Sequence, residues 1–300
     1  MVEISQAQFL NNSNVVRVAS KVVELLVSLD FGPRILFFGT PGGANQFFVH
    51  AADIESKQTD KYHSYGGHRL WSAPEDPDIT YLPDNDPVEW QQEGRIVTFR
   101  QPARGKQPLT KTMKIAMDPL LAQVTITHTL ANTSDKPLHF AAWALTQMAP
   151  GGMGIMPLPP RGEHSENLLP TGSLVLWAYT NLSDPRWCWG NQYIRIQHDP
   201  QLAQPLKYGM AANLGWLGYA NHNQLFLKRS TVAPGKTYPD RGASIEVFLN
   251  DKMVELETLG PIADVNPGQS VIHIETWHLI DKVEPPQDDA DVLRIIENYV

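Results

Sequence analysis

Cysteine is nearly missing from this chain of 300 residues: Cys188, in RWCWG, stands alone, which excludes an intramolecular disulfide and a thiolate zinc cluster. Between two tryptophans it is expected to be a buried apolar filler. No run of Lys or Arg exists, and the net charge of -8 comes from scattered acids, so nucleic acid is not an expected partner. No apolar stretch approaches the ~18 residues of a membrane span. The opening MVEISQAQFLNNSN lacks a basic patch followed by an apolar run, so a soluble cytoplasmic protein with no membrane partner is expected. No short-period repeat is present, which argues against propellers and solenoids. No composition break marks a linker either, and all-β units often reach this length, so residues 1–300 are expected to form one domain. Nothing in the sequence fixes an oligomeric state.

What is present is period-two alternation, recurring from residue 22 to residue 280. The clearest run is AQVTITHTL, 122–130, where even positions are apolar apart from His128 and odd positions are Gln or Thr. Further strands are expected at 22–29, 34–39, 95–100, 111–117, 138–148, 173–180, 224–229, 243–249, 253–259 and 270–280. Most of the 24 prolines and 21 glycines fall between these runs, as loop residues do. Helical spacing appears only in DDADVLRIIENYV, 288–300, with Asp288 or Asp289 as N-cap and Val292, Ile295, Ile296 and Tyr299 on one stripe. The fold class is therefore all-β, with too many strands for a small barrel.

Strand parity decides which side chains share a face. Glu255 and Glu257 fall together, opposite Val254 and Leu256. His273, Glu275 and Trp277 form a second set, and His139, Trp143, Leu145 and Gln147 a third. Glu246 lies opposite the aliphatic side of its strand. Taken singly, Glu246 and Glu255 read as acids on a solvated face. His128 reads as a satisfied core histidine, and Trp177 and Trp277 as packing residues. Lys207, Arg161, Arg186, Lys228 and Arg241 are expected on a solvated surface.

SYGGHRLWSAPE, 64–75, is different. Adjacent glycines allow a strained turn, and His68, Arg69, Trp71 and Glu75 supply an imidazole, a guanidinium, an indole and a carboxylate. That mixture suits a polyol, with rings stacking on sugar faces and polar groups bonding hydroxyls. No cofactor is implied. No metal is expected, because no H-x-H motif with a later His occurs in strand context.

FGPRI (31–35), YGGHRLWSAPE, ANTSDKPLHFAAW (131–143), YPDRGASIEVF (238–248), ELETLGP (255–261) and NPGQSVIHIETWHL (266–279) resemble, in that order, an uncharacterised family in the galactose mutarotase-like superfamily. The match spans about residues 15–280. The resemblance implies an antiparallel β supersandwich with a concave carbohydrate site; the short C-terminal helix is expected to pack its apolar stripe on the sheet. In the aldose epimerases of the superfamily a glutamate takes the anomeric proton while a histidine protonates the ring oxygen. Glu257, in LETLGP, matches the glutamate. The histidine expected after the N-x-S-x-x-P turn is replaced near Trp143, which leaves His68 as the candidate acid. Arg69, Trp71, Glu75, Trp143, Gln147, Glu246 and Glu255 are the candidate sugar-binding residues. Two alternatives stand beside epimerisation: a carbohydrate-binding protein without turnover, and a polysaccharide lyase-like enzyme.

Overall fold

The alternating runs become strands because each buries one row of apolar side chains and leaves the other row to polar contacts. A computed structural model describes residues 1–10, 13–56, 61–103 and 108–300. In Gln123–Asn132, Val124, Ile126, His128 and Leu130 are buried while the intervening residues are half-buried. Two antiparallel sheets result, of eleven and ten strands. The first runs Glu3–Phe9, Ser13–Ala19, Glu24–Ser28, Ile35–Gly39, His68–Ala73, Leu138–Met148, Val254–Leu259, Ile245–Leu249, Leu206–Ala211, Ser173–Leu176, with Ala263–Val265 paired beside Leu138–Met148. The second has Met153–Pro157, Trp216–Asn221, Gln224–Ser230, Ser270–Asp281, Gln123–Asn132 and Leu109–Met117 at its centre.

The core fills the space between the sheets. Phe38 and Phe47 from one side meet Phe226 and Trp277 from the other, with edge-to-face ring centroids 5.3–5.6 Å apart. Such rings contribute about 0.5–1.5 kcal/mol per pair beyond the area they bury.

Several local expectations are corrected. Strands Glu3–Phe9 and Ser13–Ala19 precede the first one expected. The strand expected over 173–180 stops at Leu176, because Thr180 closes a turn onto the Trp177 carbonyl. Cys188 is half-buried rather than buried. A short helix, Ala51–Ser56, lies outside the period-two reading.

The C-terminal helix covers Asp289–Ile296, shorter than the 288–300 stripe. Its N-cap is Asp288, which accepts from the Asp291 amide at 2.9 Å. Val292 and Ile296 pack with Ile155, Tyr193, Leu225 and Leu227 on the outer face of the ten-stranded sheet. Asp288→Ala is expected to cost ~1 kcal/mol, the usual worth of such a cap. Urea unfolding of the two proteins measures it, and equal midpoints would show that this helix end contributes nothing to global stability. No helix among the described residues is long and apolar enough to cross a membrane.

Candidate functional site

The double glycine sets the parity of the strand that follows it. Gly66 and Gly67 have φ of +85° and +70°, and the chain there threads between neighbouring segments. The Gly67 amide donates to the Phe48 carbonyl at 2.7 Å, and the Gln147 amide donates to the Gly67 carbonyl at 2.9 Å. Arg34 clamps the turn, donating to the carbonyls of Ser64 and Gly66 at 2.8 and 3.1 Å while pairing with buried Asp84 at 3.1 Å. Leaving the turn, Arg69 and Trp71 point to the outer face of the eleven-stranded sheet, where they line a cavity, and His68 and Leu70 point inward.

Register carries that face across the sheet. Arg69 lies opposite Leu145, and Trp71 opposite Trp143. Leu145 and Gln147 lie opposite Glu257 and Glu255, and these opposite Glu246 and Phe248. Cross-strand partners share a face, so Arg69, Trp71, Trp143, Gln147, Glu255, Glu257 and Glu246 form one surface. Arg69, Trp71, Trp143, Gln147 and Glu255 line a cavity of about 290 Å³ in which Tyr62, Tyr81, Tyr179, Phe248 and Lys207 join the wall, while Glu246 and Glu257 lie beneath it. Glu75 also lines it, with its carboxylate accepting from the Tyr81 hydroxyl.

The charged groups are arranged in pairs against aromatic faces. The Arg69 guanidinium sits 3.9 Å from the Trp71 ring centroid and donates to Glu255 Oε1 at 3.1 Å. Gln147 donates to the same oxygen at 2.7 Å. Lys207 Nζ lies 4.7 Å from both Trp143 and Trp177. It contacts Glu246 Oε2 at 2.8 Å and Glu257 Oε2 at 2.9 Å, and Trp143 Nε1 donates to the latter at 2.7 Å. Glu246 and Glu257 have no exposed surface, so at this wall the ammonium is in front and the two carboxylates are behind it.

Burial sets the ionisation of these groups, and charge then modifies it. Burial pushes the Glu246 carboxyl well above the usual carboxylate range, with Lys207 opposing and Glu257 adding to the rise. Glu255 is raised by burial against the opposing pull of Arg69. Burial alone would lower Lys207, but Glu257 and Glu246 outweigh it and lift the ammonium above its ordinary value. Burial raises the phenols of Tyr62 and Tyr81, and that of Tyr179 to about 12, so near neutral pH all three remain hydroxyl donors.

The structure withdraws the pairing of His68 with Glu257. His68 is fully buried on the opposite face of its strand, bonded through Nδ1 to Thr146 Oγ1 at 2.9 Å and facing His128 at 3.2 Å. Adjacent strand residues cannot share a face, so once Arg69 lines the cleft, His68 cannot. Glu246 and Glu255 are likewise not on a solvated face, being 0% and 7% exposed. Three of the five basic residues expected on the surface are also buried. Lys207 lines the cleft, Lys228 lies between the sheets, and Arg186 pairs with Asp184 at 2.9 Å. No histidine lines the cavity among the described residues. His139, at the start of its strand, is exposed and bonded to Asp264 at 2.7 Å.

Tyr62, Tyr81 and Tyr179 were missed because they sit on loops, where no alternation reports a facing direction. At 240–241 the structure shows a feature the sequence does not: Asp240 and Arg241 adopt consecutive positive φ of 48° and 61°, and the Asp240 carboxyl feels the charges of Glu246, Lys207 and Glu257. Strained backbone of this kind clusters at functional sites.

No protein-family model matches the chain, and no curated protein matches it in sequence. Solved structures match its fold. A candidate aldose 1-epimerase from Klebsiella pneumoniae subsp. pneumoniae aligns with TM-score 0.63 and 11% identity over 98% of this chain and 86% of that one. A galactose mutarotase related enzyme from Lactobacillus acidophilus aligns with TM-score 0.53 and 12% identity over 91% and 99%. A TPR-domain containing protein from Parabacteroides distasonis aligns with TM-score 0.59 and 12% identity over 92% of this chain and 49% of that one, so the chain spans about half its length. At these identities the likeness establishes the fold, a galactose mutarotase-like β-sandwich.

Proposed function

We propose, on the premise of a galactose mutarotase-like fold, that the concave cleft binds a neutral monosaccharide or a close derivative of one. The observation that carries this reading is the wall itself, where aromatic rings alternate with ion-paired hydrogen-bonding groups. Trp71, Trp143, Tyr62 and Tyr179 offer faces and edges for a sugar ring, and Arg69, Lys207, Glu75, Glu255 and Gln147 offer directional partners for hydroxyls. The cavity lies at the small end of ligand pockets, which suits one ring better than a chain of them. An anionic group on the ligand gains little, because the cations that line the wall, Arg69 and Lys207, are each already held against carboxylates.

Binding of sugars by wild type and by Tyr179→Ala, followed by ligand-observed NMR over a panel of aldoses, tests the proposal. Tyr179 is 45% exposed, so its loss leaves the fold intact. We expect at least one aldose to bind and the variant to weaken it about 2–12-fold, the worth of one stacking contact of ~0.5–1.5 kcal/mol. No binding of any aldose at millimolar concentration would remove the proposal.

Anomer interconversion is the second reading, favoured by one feature: Glu257 Oε1 has no hydrogen-bond partner while Oε2 is held by Trp143 and Lys207. As base, Glu257 would take the proton of the anomeric hydroxyl once Lys207 moves aside, and the bond from the anomeric carbon to the ring oxygen would break as the carbonyl forms. A tyrosine hydroxyl of the wall would give its proton to the ring oxygen, both transfers reversing on reclosure. Exchange of α and β anomers followed by NMR separates the two readings. Acceleration that disappears in Glu257→Gln while binding persists supports turnover, and tight binding with no acceleration leaves a binding protein.

A further inference from the structure

A buried polar cluster lies between the sheets, on the face of the eleven-stranded sheet turned away from the cleft. We propose that His68, His128 and Glu275 form a site for one divalent cation of the zinc class, buried between the two sheets.

The geometry is that of three ligands around a common point. His68 Nε2 lies 3.2 Å from His128 Nε2, Glu275 Oε2 lies 3.7 Å from the first and 3.6 Å from the second, and all three residues are fully buried. Around a tetrahedral cation with bonds of about 2.0–2.1 Å, ligand atoms stand about 3.3–3.4 Å apart. The carboxylate oxygen is too far from either ring for a hydrogen bond, and the contact between the rings is at the long end of the hydrogen-bond range.

The lone pairs of Glu275 lead to the same point. A carboxylate offers about four acceptor sites. Lys228 Nζ, at 2.8 Å, and the Thr258 hydroxyl occupy Oε1, and Trp277 Nε1 takes one site on Oε2 at 2.9 Å. The remaining site belongs to Oε2, the atom that faces both imidazoles. His68 is oriented from behind by Thr146 Oγ1 on Nδ1, the outer-shell contact that leaves Nε2 as the ligand atom. His128 has no such support, as its Nδ1 lacks a partner.

Lys228 also limits the site. Its three N–H groups are shared among the Ala144 and Leu256 carbonyls, Thr146 Oγ1 and Glu275 Oε1, all within 3.1 Å, and its positive charge therefore sits on the far oxygen of the ligating carboxylate. The cation is therefore held less tightly than in a four-ligand structural zinc centre, and occupancy is to be read at saturating metal. Two imidazoles and a carboxylate suit zinc and its transition-metal neighbours rather than calcium or magnesium. The position, with no ligand shared with the cleft, gives the ion a structural role in joining the sheets.

The test is metal analysis of protein expressed in zinc-supplemented or cobalt-supplemented medium. About one equivalent per chain is expected, with the visible absorption of tetrahedral Co²⁺ in the cobalt protein, and occupancy lost in His128→Gln but kept in the control His139→Gln. If His128→Gln does not fold, X-ray absorption of the wild-type zinc protein decides, by showing or lacking a shell of two imidazoles and one carboxylate. Wild type with no bound metal, or His128→Gln with full occupancy, overturns the proposal. Either result is independent of whether the cleft binds a sugar.

Discussion

Replacing Lys207 by methionine is expected to destabilise the protein by about 3–5 kcal/mol at pH 7, the usual cost of removing one partner from a buried ion pair. Methionine keeps the apolar stem between Trp143 and Trp177 but removes the ammonium from Glu246 and Glu257, both fully buried. The two carboxylates then face each other with no cation between them. Burial already pushes Glu246 well above the usual range even with Lys207 opposing, and without Lys207 it rises further. A carboxyl whose folded value lies above its unfolded one binds more protons in the folded state, so its contribution to stability falls as pH rises through that interval. The deficit of the variant should therefore be smaller at pH 5 than at pH 8. Urea unfolding at both pH values measures it, and a deficit independent of pH, or below about 1 kcal/mol, would mean that the two acids do not depend on Lys207.

Gly67→Ala is expected to be nearly as damaging, and for a different reason. Its φ of +70° costs an L-residue about 1–2 kcal/mol. In addition, a Cβ at this position would lie 2.1 Å from the Ile35 carbonyl oxygen, a backbone atom that cannot swing away. Overpacking of this kind typically adds 1–3 kcal/mol, giving a total of about 2–5 kcal/mol. Gly94→Ala is the control: its φ is +60°, but its Cβ would meet nothing within 4 Å, so only the backbone cost remains. If both variants unfold at the same urea concentration, the close approach of the glycine turn to its neighbours has no energetic weight.

The glycine result also bears on the cleft. The turn is what assigns Arg69 and Trp71 to the outer face and His68 to the interior, so a variant that folds with a shifted turn should lose sugar binding along with stability.

The strand framework was legible because alternation in a sequence is a direct consequence of one buried and one polar face. The even residues of 122–130 are an example, as is the facing of Glu255 with Glu257. The C-terminal helix was legible for the same kind of reason, through its cap and stripe. Runs that lack contrast between faces were not. Ser13–Ala19 is buried almost throughout, and Glu3–Phe9 reads as mostly polar.

Reading single strands failed where two neighbours in sequence had to be divided between two faces. His68 and Arg69 are both polar, and composition gives no reason to send one inward. It is the Gly66–Gly67 turn, clamped by Arg34, that does so. Lys207 and Glu246 looked like ordinary surface charges for a related reason: an isolated charge in a strand is exposed unless a counter-ion covers it, and each of these is covered by a residue distant in sequence.

Taken alone, the sequence determined the all-β class, about half of the strands, the terminal helix and the shared face of the late glutamates, because each of these depends on residues close together along the chain. The tertiary structure alone decided that the cleft wall is a set of ion pairs backed by tryptophans, and that residues 68, 128 and 275 meet between the sheets. Register brings those groups together across long separations, and no local spacing records which distant strand will lie alongside.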